Sequence, residues 1–337
     1  MPLISSTMST SVTARGTSAE RHRIIKPKRL SPGDTVAIIA PSSGVSAETF
    51  NRAMANIDSL GFKAKAGEHA RGSYGFLSGT DKERVSDLHA AFRDPEVKGV
   101  WCVRGGGGAP RMLPDIDYAM IKKNPKVFIG FSDITALHIA ISQNTGLVTF
   151  HGPVGSSNFN DYTKGHALDV VSLAKEPYKI EVSAVNAANA SPFYRTQTMV
   201  KGKARGRLTG GNLSLLSSLA GTPYALNDLK GKILFIEEIN EAPYRVDRML
   251  TQLRQSCDLR SLAGIALGVF DDTGANAPKD GKPLMDVLTD RLGDLGVPLV
   301  YGLSFGHIRE NITLPYGIEA ELDADNATLT YLEAAVS

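Results

Sequence analysis

The sequence predicts an α/β protein: a doubly wound parallel sheet, then a second, smaller β/α unit. Two observations carry this. From Thr35 to about Pro153, short apolar runs alternate with amphipathic helical segments, the pattern of successive βαβ units. After about Ala174 the alternation breaks, turn-forming residues gather over Asn186–Pro192, and a new series of strands and helices begins. A length of 337 residues suits two domains with sizeable cores. The expected organisation is a disordered tail over residues 1–24, a first domain over 25–174, a linker over 175–200 and a second domain over 201–337.

Up to about Arg23 the chain is rich in Ser, Thr and small residues and has no continuous apolar h-region, so a secretory signal is not expected. Thr35–Ala40 reads as a buried strand. Glu48–Leu60 reads as a helix with Phe50, Met54 and Ile57 on one face and Gly61 closing it. Thr80-Asp-Lys-Glu83 is a capping box opening a helix whose buried stripe is Val85, Leu88 and Phe92; Asp94-Pro95 ends it. Lys98–Val103 is a strand running into Arg104 and the glycines Gly105–Gly108. A short helix near Asp117–Lys123 precedes Lys126-Val-Phe-Ile-Gly130, a strand with a sharp turn and a helix after it. Leu147–Phe150 and His151-Gly-Pro153 close the first unit.

Tyr178–Val182 looks like a further strand. Beyond it come a helix over Leu213–Leu219, strands at Ile233–Ile236 and Gly264–Phe270, and helices near Tyr244–Gln255 and Met285–Leu292. Strand Leu299–Tyr301 and a final hairpin turning at Asp325-Asn326 follow. No internal repeat is present.

Composition excludes several classes. The net charge of +2 gives no strong attraction to nucleic acid or membrane surfaces. No apolar run approaches the length of a membrane span. The two cysteines, Cys102 and Cys257, lie far apart, with neither metal-ligand spacing nor a disulfide framework. A cytoplasmic protein without a metal or other cofactor is expected.

The candidate chemistry gathers at strand ends, where ligands of open α/β sheets bind. Ser132 stands where a strand hands over to a helix. Its hydroxyl can stand clear of both elements, and the Asp133 N–H one residue on points outward with the helix dipole behind it, as in a nucleophile elbow. The full G-x-S-x-G pattern is absent, and a helix cap at Ser132 or Asp133 is the plainer reading. Gly105–Gly108 lack the spacing of a dinucleotide or P-loop motif, so close backbone approach to a reacting group is the better reading. Glu237 and Glu238 end a buried strand. Their side chains leave on opposite faces, so at most one readily faces a site; two solvated carboxylates is the bland reading. His307 lies in a loop after a late strand, and His151 competes with it as a general base. Asp271-Asp272 reads as a solvated loop rather than a metal site.

The blocks Gly33–Pro41, Gly79–Arg84 with Asp87–Phe92, Arg104–Gly108, Ile129–Thr135, Thr149–Pro153, Gly210–Leu216, Phe235–Glu241 with Tyr244–Arg248, and Gly306-His307 occur together and in order. In these blocks the chain resembles the LD-carboxypeptidase family, the muramoyltetrapeptide carboxypeptidases of the serine peptidases, from about Pro27 to about Leu332. The resemblance implies a flavodoxin-like N-terminal domain, a smaller C-terminal β/α domain, and a Ser-Glu-His triad mapping to Ser132, Glu237 and His307. It implies an oxyanion hole from the N–H groups of Asp133 and Gly106, or Gly105. It also implies a muropeptide or tetrapeptide substrate cut at an L,D peptide bond to release D-alanine, no metal, and a homodimer.

By position alone, Arg104 and Gly105 are candidates for holding the substrate, Arg104 through its terminal carboxylate, with a structural salt bridge as the alternative for Arg104. Two departures stand out: Gly107 where the family commonly has tyrosine, and Asn240 where many members have glycine. A sister branch resembles microcin-C immunity proteins, serine amidases acting on aminoacyl-nucleotide toxins. The lone Trp101 lies in a strand and no aromatic loop for a nucleobase is evident, which favours the cell-wall branch. A non-catalytic muropeptide-binding protein is the rival from another class.

Overall fold

The computed structural model describes residues 23–271 and 281–337. Most of the expected tail, and Asp272, lie outside the described residues. Ile24, at the end of that expected tail, packs against the core. The Ile25 N–H donates to the Gly146 carbonyl at 2.8 Å, which ties the chain's entry to the first sheet's rim.

The first sheet contains β1 (Thr35–Ile39), β2 (Lys63–Ala66), β3 (Val97–Cys102), β4 (Val127–Gly130) and β5 (Phe150–His151). They pair in parallel in the order β2-β1-β3-β4-β5, the flavodoxin-like order of a doubly wound sheet. Strands β3 and β4 are almost wholly buried, as expected of parallel strands covered on both faces. Edge strand β2, Lys63-Ala-Lys-Ala66, is mostly exposed; two lysines protect the edge, and no apolar run marks it in the sequence.

The helices carry the caps their sequences announce. Ser46 Oγ accepts from the Thr49 N–H at 3.2 Å at the start of Ala47–Ser59. Thr80 and Glu83 form the reciprocal capping box of Asp81–Arg93. The helix Thr135–Thr145 is buried along most of its length because it lies between the two halves, against helix Leu213–Leu219 and the second sheet.

The second sheet contains β6 (Tyr178–Ile180), β7 (Gln197–Val200), β8 (Lys203–Asn212), β9 (Ile233–Ile239), β10 (Gly264–Asp271) and β11 (Leu299–Tyr301). After β12 (Leu314–Pro315), the hairpin of β13 (Glu319–Asp323) and β14 (Thr328–Tyr331) completes it. The order is β6-β14-β13-β8-β9-β10-β11-β7, with β8 to β11 parallel and the outer pairings antiparallel. The span 175–200, expected as a linker, thus supplies the two edge strands of this sheet. The first matches the strand expected over Tyr178–Val182; the second is short and only partly buried, so it shows little apolar pattern. Strand β12 does not join this sheet. It pairs antiparallel with β5 on the first one, so the segment from β11 to β12 crosses from one sheet to the other.

Among the described residues, no helix is long and apolar enough to cross a membrane.

Candidate active site

The turn after β4 is tight and strained. Phe131 is extended, and Ser132 then adopts φ 66°, in the left-handed region. That conformation costs a non-glycine residue about 1–2 kcal/mol. A 3-10 turn over Ser132–Ile134 leads into the helix Thr135–Thr145. Gly130 leaves room just before the turn, where a Cβ would lie a tight 3.1 Å from Cys102 and from Ile134.

The glycine loop after β3 meets this turn directly. A Cβ on Gly105 would lie 2.8 Å from Ser132 Cβ, 3.0 Å from its Oγ and 3.1 Å from the Asp133 nitrogen. Gly106 has φ 112°, and a Cβ there would strike Ser43 Oγ. The Gly107 N–H donates to Ser43 Oγ at 3.1 Å. The N–H groups of Gly106 and Asp133 have no hydrogen-bond partner among the described residues.

The Asp133 side chain does not cap the helix. It is buried and accepts from Ser42 Oγ at 2.6 Å and from the Ala109 N–H at 2.8 Å. Burial pushes its carboxyl up; these donors offset part of the rise, and the pKa stays above the usual range. Arg84, also buried, donates to the Pro41 carbonyl and, at 2.9 Å, to the Gly108 carbonyl. Asp133 and Arg84 therefore clamp the loops after β1, β3 and β4 together. Neither role was legible in the sequence, although Arg84 directly follows the capping box.

At the end of β9 both acids are buried, not solvated. Glu237 Oε2 lies 2.7 Å from His307 Nδ1. Burial opposes ionisation of Glu237, but the charge and hydrogen bond of His307 outweigh it and hold the carboxyl below its ordinary range. His307 is affected conversely: burial opposes its charge, Glu237 favours it, and the imidazole pKa ends above its ordinary value. Glu238 leaves on the other face. It accepts from the Ser214 N–H and Oγ, both at 2.7 Å, from Asn212 Nδ2 at 3.0 Å and from the Ile239 N–H at 2.9 Å. Burial, then repulsion from Glu237, raises its pKa.

The His307 ring lies 4.8 Å, centroid to centroid, from Phe131, the residue before Ser132. The histidine and the serine turn are thus neighbours. Their side chains are not hydrogen bonded to each other among the described residues. A cleft of about 320 Å³ beside them is lined by Phe131, Ile239, His307, Arg309 and Asn311, among others. A larger cavity of about 510 Å³, between Ile139, Arg207, Lys230 and Glu319, holds none of these groups.

Other candidates divide. His151 is wholly buried, and burial pushes its pKa down to about 4, so it does not compete with His307 as a base facing substrate. Arg104 is exposed and has no ion pair among the described residues, so the salt-bridge alternative is not realised. Arg309, exposed at the cleft, is a second cation the sequence reading missed. Asn240 has φ 59°, a conformation asparagine tolerates better than most residues, which accounts for its standing in a glycine position. Beside Gly107, Phe76 approaches to 3.8 Å of where a Cβ would be; it and Tyr74 are exposed aromatics on one loop, which the sequence reading did not identify.

Two family models cover most of the chain: the LD-carboxypeptidase N-terminal domain matches residues 36–152 and the C-terminal domain matches residues 205–322. The chain belongs to the LD-carboxypeptidase family. It is 41% identical to a probable murein peptide carboxypeptidase of Bacillus subtilis, over 93% of this chain and 95% of that one. It is 32% identical to the murein tetrapeptide carboxypeptidase of Pseudomonas aeruginosa, over 86% and 93% of the two chains. Among solved structures, an MccF-like protein from Bacillus anthracis superposes with a TM-score of 0.81 at 32% identity, covering 91% of this LD-carboxypeptidase chain and 99% of its own.

Proposed function

We propose that this LD-carboxypeptidase family member is a serine carboxypeptidase that releases terminal D-alanine from peptidoglycan-derived tetrapeptides by hydrolysing the L,D peptide bond. The observation that carries the reading is the 2.7 Å Glu237–His307 pair set against the strained Ser132 turn. With Nδ1 engaged by Glu237, the His307 Nε2 is left for the serine. His307 takes the Ser132 Oγ proton as the hydroxyl attacks the carbonyl carbon. Glu237 holds the ring and stabilises the imidazolium. The N–H groups of Asp133 and Gly106 receive the tetrahedral oxyanion. His307 then protonates the departing D-alanine nitrogen. Water, deprotonated by His307, releases the shortened peptide from the serine ester.

Arg104 is proposed to hold the terminal carboxylate; Gly105 lets the substrate carbonyl approach. The names of the relatives support a murein peptide as substrate. Assembly as a homodimer in the cytoplasm belongs to the same reading and rests on the family resemblance.

The test is mass spectrometry of a muramoyl tetrapeptide incubated with the protein. Release of D-alanine from the natural peptide, with a peptide ending in L-alanine left intact, is expected. Equal release of both alanines would overturn the assignment. A second reading, an amidase acting on aminoacyl nucleotides, is favoured by one observation: exposed Tyr74 and Phe76 beside the glycine loop offer stacking surfaces. An aminoacyl sulfamoyl adenylate in a parallel incubation decides between the two.

A further inference from the structure

Beneath the Glu237–His307 pair is a set of polar atoms that the mechanism does not use. Among the described residues, His151, wholly buried, has no hydrogen-bond partner for either ring nitrogen, and Glu237 Oε1 has none either. Thr149 Oγ1 and His138 Nδ1 are in the same condition. Thr149 lies two positions before His151, just ahead of β5. The His151 ring packs edge-on against Phe235, at 5.4 Å, and against Phe131, at 5.9 Å. Phe131 in turn touches the His307 ring. His138 lies 6.4 Å from His151, and its Nε2 is 2.8 Å from the Gly130 carbonyl. A carbonyl only accepts, so Nε2 carries the His138 proton and Nδ1 is an acceptor.

Buried polar atoms without partners are costly, and folded proteins satisfy them with protein groups or ordered water. A buried carboxylate needs donors on both oxygens, and His307 serves only Oε2. We propose that His151 is a positioning residue for Glu237: its ring N–H donates to a buried water, which donates to Glu237 Oε1. His151 serves this role as the neutral imidazole, consistent with the downward shift that burial imposes on it. Held at both oxygens, the carboxylate cannot rotate away from His307 when the imidazolium forms.

The catalytic part of this inference rests on the triad proposed above; the water site does not. A high-resolution crystal structure of the wild-type protein should show an ordered water within hydrogen-bond distance of both a His151 ring nitrogen and Glu237 Oε1. Its absence overturns the proposal. In kinetics, His151→Phe keeps the ring packing and removes the donor. It should lower kcat on the order of tenfold, the scale of one lost hydrogen bond to a charged group, with KM nearly unchanged. His151→Gln, which keeps a donor and an acceptor, should recover most of the loss. Wild-type kcat in His151→Phe, or equal loss in both variants, overturns the role. If His151→Phe does not fold, the glutamine variant and the crystal structure still decide. If no peptidase activity is found, the rate at which a phosphonate labels Ser132 replaces kcat.

Discussion

Asp133 and Ser42 stand 91 positions apart in the chain, and their side chains meet in a hydrogen bond of 2.6 Å. The bond joins the loop after β1 to the turn that carries Ser132. The same carboxylate holds the Ala109 N–H at the end of the glycine loop. Both donors meet the same oxygen, Oδ2, and an alanine there has no acceptor for either. Asp133→Ala should therefore destabilise the fold by about 1–3 kcal/mol, the cost of leaving buried partners unpaired. It should also slow turnover, because the glycine loop is released. Urea denaturation beside steady-state kinetics checks both; a variant normal in both would show that the loops are held by other contacts.

The two acids of β9 separate catalysis from stability. Glu237→Gln removes the charge beside His307 and should cost on the order of 10⁴ in kcat, by analogy with the aspartate of serine protease triads. Glu238→Gln should cost roughly tenfold or less in kcat. Its carboxylate receives three donors at the start of helix Leu213–Leu219 and the Ile239 N–H of β9, and an amide nitrogen would oppose them. That variant should instead lose about 1–3 kcal/mol of stability. The reverse pattern, with Glu238→Gln inactive and Glu237→Gln near normal, would assign the strand register wrongly.

The pair also sets a pH signature. His307 must be neutral to act as a base, and its pKa lies above the ordinary 6.5, with burial opposed and overcome by Glu237. The acid limb of kcat/KM should therefore rise through a value above 6.5, and residual activity of Glu237→Gln should rise at lower pH. Stability follows by linkage. The His307 contribution is complete below its unfolded value of 6.5 and fades as pH climbs through its raised pKa. The Glu237 contribution is complete above its unfolded value of 4.5 and fades as pH falls through its lowered pKa. The two contributions describe one ion pair, so the melting temperatures of wild type and Glu237→Gln should differ most between those two values, and the difference should shrink as pH climbs through the raised His307 pKa.

Strain at the proposed nucleophile can be weighed. Ser132 has φ 66°, which glycine adopts freely and alanine does not. Ser132→Gly should be more stable than Ser132→Ala by about 1 kcal/mol. Both variants should lose activity and phosphonate labelling. Equal melting of the two would mean that the turn relaxes in the variants.

Gly105→Ala tests the contact between the glycine loop and the turn. Its Cβ would press on Ser132 and the Asp133 nitrogen. Loss of the oxyanion donors should lower kcat on the order of 10²–10³, with the fold retained by circular dichroism.

Much of the frame was legible because it rests on local signals. The capping box at Thr80–Glu83, the helix Leu213–Leu219 and the closing hairpin announce themselves through caps, periodicity and turn residues. The strands β2 and β7 did not, because short edge strands bury too little to leave a pattern. At the site, the elbow at Ser132 was readable from the change of element, whereas choosing Glu237 over Glu238 needed the family pattern. The Asp133 and Arg84 clamps were invisible, since each joins loops far apart in the chain. Phe76 was missed for a different reason: an aromatic in a glycine-rich loop gives no hint of which loop it will face.

The path of the chain from β11 to β12 has a mechanical consequence. His307 rides on a strap anchored in the second sheet at one end and in the first sheet at the other. A hinge that spread the two halves would load this strap and draw the imidazole off either the carboxylate or the serine turn. Spreading the two halves and keeping the Glu237–His307 pair against the serine turn therefore oppose each other. A first half produced alone would lack the strand that closes its sheet, because β12 comes from the far end of the chain.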